Sequence, residues 1–253
     1  MTTITTERTT HAAAEVADTI EDLFTMVDGW RARVAARFDE PGDQTAAALD
    51  PVVEDFAVPA VLGDPLVTGA GFVAAPGLLA DARWHLAWWL GSPGAGVRRL
   101  ATVDDESSDQ FRDYTALEWW RIPFRTGARH LTGPYVDYLC TDDYTVTITV
   151  PVTARGDFLG VVGCDALVDR LESRLLPALR SLDAPAALVN ASGRIVTATD
   201  ARREPGAILR LPGLAEALAP LREAHPPHLD AVLADGVQVR SCGASSLALV
   251  IGG

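Results

Sequence analysis

Between residues 12 and 38 the apolar positions Val16, Ile20, Leu23, Val27, Trp30 and Val34 recur at intervals of 4, 3, 4, 3 and 4. That spacing keeps a single stripe on one face of an α-helix. Arg31, Arg33 and Arg37 suit the negative pole at the helix end, and Pro41-Gly42 stops it. Two uses fit the stripe: packing on the chain's own domain, or a coiled-coil-like seam for a second copy. A short helix is expected near 46–56, then strands over 68–74, 83–90 and 97–103, with turns at Pro76-Gly77 and Ser92-Pro93-Gly94.

The pattern changes to period two in the centre. Tyr144, Val146, Ile148, Val150 and Val152 alternate with Thr145, Thr147 and Thr149, which predicts a half-buried strand. Ala154 to Asp157 reads as a turn and 158–163 as the returning strand. Asp165 stands where a helix over 166–182 is expected to begin, as its cap or as a ligand contact. A second unit starts near Ala184, with strands over 186–190, 194–198, 236–241 and 247–251 and a helix over 214–224. The fold class is therefore α+β: a long N-terminal helical segment (1–60), a larger antiparallel-sheet module (61–182) and a smaller one (183–253).

Composition removes several kinds of chemistry. All 21 basic residues are arginine, so lysine Schiff bases and phosphate-loop lysines are excluded. A net charge of −13 without a basic run argues against nucleic acid. Cys140, Cys164 and Cys242 are widely spaced and predict neither a disulfide framework nor a zinc site. The N-terminus does not read as a secretory signal, and no window offers the roughly 18 apolar residues that a membrane span requires. The expectation is a soluble cytoplasmic chain that does not bind membranes, with no cofactor and no metal. No nucleophile elbow, zinc-protease motif or dinucleotide fingerprint occurs.

What the sequence does hold is a dense polar-aromatic stretch. It runs from Asp113-Tyr114 through Glu118-Trp119-Trp120-Arg121 to Gly133-Pro134-Tyr135-Val136-Asp137, with Asp165 beyond. Aromatic faces attract an organic cation, and carboxylates neutralise it and accept its N–H bonds. The same tryptophans would serve equally as core.

At these residues the chain resembles the Cache domains, PAS-like sensor modules of bacterial chemoreceptors and sensor kinases. The resemblance rests on Trp119-Trp120, Gly133 to Asp137, Thr147 to Val152 and Gly156 to Asp165, in that order, behind a long first helix. Ala186 to Val196 resembles the opening hairpin of the smaller second module of the double form. The resemblance implies a non-enzymatic sensor that binds a small metabolite in its larger module. Trp119, Trp120, Tyr135 and Asp165 map onto ligand-binding positions, Asp165 onto the acid that meets a ligand amino group, and Tyr114 falls near an upstream tyrosine. Glu118 and Asp137 complete the candidate site.

One departure bears on the ligand. The position where amino-acid-binding members carry an arginine is Leu117 here, followed by Glu118, which favours an amine or other organic cation over an amino acid, with Arg121 a possible substitute. The expected partners are such a ligand, a second copy through the N-terminal helix, and a separate signalling protein. The competing readings are a structural adaptor whose aromatic cluster is only core, and an enzyme using Glu118, Asp137 or Asp165 as general base.

Overall fold

A computed structural model describes residues 2–92, 96–137 and 143–252; Cys140 lies outside them. Helix α1 (Thr2–Asp39) leads, followed by α2 (Ala46–Gly63). Thr45 caps α2 through its side chain, and Leu49, Val53, Phe56 and Ala57 face inward, which carries the helix past the expected end near Phe56.

Six antiparallel strands form the first sheet: β1 (Val67–Ala74), β2 (Leu86–Ser92), β3 (Gly96–Arg99), β4 (His130–Val136), β5 (Tyr144–Ala154) and β6 (Asp157–Leu167). Their spatial order is β3-β2-β1-β6-β5-β4. Strand β2 starts three residues later than expected, because the Asp104 carboxylate holds the backbone N–H groups of Arg83 and Trp84 (3.3 and 2.7 Å). The β5–β6 hairpin turns at Arg155 and Gly156, both at positive φ, which matches the twist of the paired strands. Between β3 and β4, a 3-10 turn (Tyr114–Ala116) and α3 (Glu118–Thr126) cross one face of the sheet.

Helix α4 (Val168–Arg180) leads to the second sheet, ordered β8-β7-β11-β10-β9, from β7 (Ala186–Asn190), β8 (Ile195–Ala198), β9 (Asp230–Val232), β10 (Gln238–Ser241) and β11 (Leu247–Ile251). The short α5 (Leu214–Leu218) and a 3-10 turn (Ala219–Arg222) replace the longer helix expected over 214–224.

Two expectations change. The β5 strand is not half-buried: Val146, Ile148, Val150 and Val152 pack toward α1, while Thr145, Thr147 and Thr149 on the other face are buried as well. Asp165 caps no helix. Strand β6 runs through it to Leu167, because Asp165 pairs with Gly69 on one side and Thr147 on the other. The α1 stripe is buried within the chain, from Val16 (0% exposed) to Val34 (0%), against the first sheet, α2 and the inner face of the second sheet. It is therefore covered without a second copy.

Candidate functional site

Sheet alternation assembles the site. Strands β1, β2, β5 and β6 send Val73, Leu86 and Trp88, Thr147, and Asp165 to the face opposite α1. Strand β4 bulges at Gly133–Pro134, where its register on β5 shifts between Thr132 and Tyr135. Proline lacks the N–H needed to continue the ladder. Beyond the bulge lie Tyr135 and, at the strand end, Asp137, whose backbone N–H bonds to Asp143 O (3.1 Å). Helix α3 closes the face with Trp119, its carbonyl accepting from Thr149 Oγ1 (2.9 Å).

These residues line a small cavity: Val73, Leu86, Trp88, Trp119, Tyr135, Asp137, Thr147 and Asp165. Its volume is about 20 Å³, room for about one water. The Thr147 hydroxyl donates to Asp165 Oδ1 (2.7 Å), which leaves Tyr135 OH to donate to Thr147 Oγ1 (2.8 Å). Trp88 Nε1 lies against the same carboxylate, but this buried donor makes no well-formed hydrogen bond among the described residues. A Cβ on Gly69 would sit 2.8 Å from Trp88 Nε1 and 2.9 Å from Asp165 Oδ2, so only glycine leaves room for both groups there.

Asp137 and Asp165 are both 4% exposed. Burial, and then the Asp137 charge, push the Asp165 carboxyl up to about 8, more than the Thr147 and Trp88 donors pull it down. At neutral pH the fold therefore favours a proton on Asp165. None of the lining residues among those described is a base. Two buried acids beside Trp119, Trp88 and Tyr135 can hold a cation by charge, hydrogen bonds and aromatic faces.

The cavity brings together four of the sequence-predicted site residues: Trp119, Tyr135, Asp137 and Asp165. Tyr114, Trp120 and Glu118 lie elsewhere. Tyr114 is 1% exposed, donates its hydroxyl to Ala74 O (2.7 Å) and packs among Trp84, Trp119 and Trp120. Burial raises its phenol well above the usual value. Trp120 packs edge-on against Phe158, behind the cavity wall. Glu118 points to an outer groove and bonds to His130 Nε2 (3.0 Å), and that bond holds its carboxyl below the ordinary value. Arg121 also lines the groove and not the cavity. Sequence reasoning missed Val73, Leu86, Trp88 and Thr147. The signals for Thr147 and Trp88 were the alternation of β5 and the parity of Trp88 against Trp89.

The fold is that of the double Cache sensor modules: a long helix backing a larger and a smaller antiparallel sheet. Residues 98–173 match the family described as the methyl-accepting chemotaxis protein-like, first PDC sensor domain. Among solved structures, the chain is similar to "Methyl-accepting Chemotaxis protein X" at 14% identity, covering 98% of this chain and 95% of that one with a TM-score of 0.68. It is similar to the ligand-binding domain of the Pseudomonas fluorescens chemoreceptor CtaA, solved with L-valine (17% identity, 98% and 93% covered, TM-score 0.59). A third likeness is to that of the amino-acid chemoreceptor PctC of Pseudomonas aeruginosa PAO1, solved with GABA (19%, 97% and 96%, 0.58). No curated protein matches the chain. At these identities the structural likeness is one of fold.

Proposed function

We propose that the chain is a non-enzymatic sensor module that binds a small organic cation, an amine, in the cavity of its first sheet and passes its state to a signalling partner. One observation carries the choice of ligand class: among the described residues, the charged lining consists of two buried acids with no base. An amine satisfies both acids, whereas the carboxylate of an amino acid would meet like charge. The structures solved with valine and GABA make an amino acid the second reading, and Trp88 Nε1–H, which makes no well-formed hydrogen bond among the described residues, favours it as a donor for a carboxylate oxygen.

The cavity as it stands is far smaller than the 300–1,000 Å³ of typical ligand sites, so binding moves a wall. Helix α3, which carries Trp119, packs on the sheet without being one of its strands, and its displacement is the expected signal.

Thermal-shift and calorimetric titration with a panel of amines and amino acids test the reading. Saturation at about a hundred times the dissociation constant adds about 2.7 kcal/mol of stability. Loss of the response in Asp165→Asn, with the fold kept, supports the assignment. Binding by amino acids alone selects the second reading, and a blank panel on folded protein refutes both.

A further inference from the structure

We propose that the groove between the two sheets is a second binding site, for a small oxyanion carrying two or more negative charges. The groove measures about 740 Å³, within the size range of ligand sites and at a junction between modules, where such sites concentrate. One wall is the outer face of α3, with Arg121 and Arg125 one turn apart; the other is the 3-10 turn of the second unit, with Arg222.

The charge balance singles out these three. Arg31 and Arg129 also line the groove, but each is paired with an acid, Asp28 (2.8 Å) and Glu21 (2.6 Å) respectively. The Glu118 carboxylate is engaged by His130 (3.0 Å). Neither Arg121 nor Arg125 forms an ion pair among the described residues, although the Arg121 charge is felt by Glu118. Arg222 donates Nε to Ala191 O (3.2 Å), which fixes its guanidinium on the second wall. Against these three cations stand the carboxylates of Glu118 and Glu223, since the His130 bond leaves Glu118 charged. Local charge is thus positive in a chain whose net charge is −13. Guanidinium forks match carboxylate and phosphate oxygens in pairs. An anion with charges at two ends would join the α3 wall to the second unit.

The test is calorimetric titration of the full chain with citrate and, separately, pyrophosphate, at ionic strength held constant with sodium chloride. Saturable binding of one or both is expected, and the probe that binds tells carboxylate from phosphate chemistry. Arg121→Gln with Arg125→Gln should weaken it on the order of tenfold or more, and Arg222→Gln, on the opposite wall, should weaken it independently. Arg98→Gln makes the same charge change as Arg222→Gln, on the exposed β3 edge, and should leave binding unchanged. All four arginines are exposed, so folding, checked by thermal melts, should survive. Absence of saturable binding to either probe overturns the proposal, as does an equal loss in Arg98→Gln or wild-type affinity in the Arg121/Arg125 variant. Asp165→Asn should leave anion binding intact, which separates failure of this site from failure of the cavity.

Discussion

The buried acid pair makes stability itself a reporter of the site. Asp165 ordinarily titrates near 3.8, and in the fold it is pushed up to about 8 by burial and by Asp137. Between those values the folded chain keeps a proton that the unfolded chain has lost, so stability must fall as pH rises from about 4 to about 8 and then level off. Asp165→Asn keeps the size of the side chain and an oxygen for the Thr147 hydroxyl, but it does not titrate. For one proton the slope is at most about 1.4 kcal/mol per pH unit, or roughly 3–5 °C of melting temperature for a chain of this length. Denaturant unfolding of wild type and variant at half-unit steps from pH 5 to pH 9 measures it. Titrating groups away from the site act alike in both chains, so the difference isolates Asp165 together with its coupling to Asp137. The wild type should lose ground to the variant steadily until about pH 8. A difference that stays flat with pH, or one that grows in favour of the wild type, would refute the assignment. If the ligand is an amine that meets the charged carboxylate, its affinity should rise over the same interval, with a proton released on binding.

Gly69→Ala should abolish ligand binding and cost about 1–3 kcal/mol, since its methyl would press on Trp88 and Asp165; a titration and a denaturant curve check the two effects. Tyr114→Phe should cost about 1–3 kcal/mol by leaving Ala74 O unpaired, yet keep ligand affinity within about threefold, a factor below 1 kcal/mol, because the phenol does not line the cavity; the same two measurements distinguish a core role from a binding one. Val27→Ala should destabilise by about 1–3 kcal/mol through the buried stripe of α1 without changing the mass found by light scattering, since the stripe packs inside the chain. A halved mass would instead show that the helix joins two copies.

Patterns that repeat along one segment made the elements legible, whereas the site residues Trp119, Tyr135 and Asp137 were legible by their chemical type alone. Helix α1, strand β5 and the hairpins were legible as elements because each element's contacts impose a period on its own sequence, although the threonine face of β5 is buried too. The segment from Tyr114 to Val136 carries no such period: α3 is nine residues long, includes Pro123, and ends at Gly127 in a left-handed conformation. Its residues could be gathered into a candidate site but not placed. Hence Tyr114 and Trp120, chemically apt for a cation pocket, proved to be the packing behind Trp119.

That Asp165 caps no helix has a more general cause. A lone acid after a strand looks like a helix cap when only neighbours in sequence are weighed. Here its neighbours across the sheet decide. Thr147 supplies a hydroxyl from one side, Gly69 supplies the absence of a side chain from the other, and Trp88 comes from the strand beyond. None of these three is close to Asp165 in sequence, and none carries a motif. Their common signature is parity: Gly69, Trp88, Thr147 and Asp165 occupy positions that a paired register sends to one face. A threonine row opposite an apolar row, with a glycine beside an acid in the neighbouring strands, lets a sheet keep a carboxyl group buried, hydrogen-bonded and unobstructed. That combination, and not the abundance of tryptophan, separates the cavity from the aromatic core against which it is built.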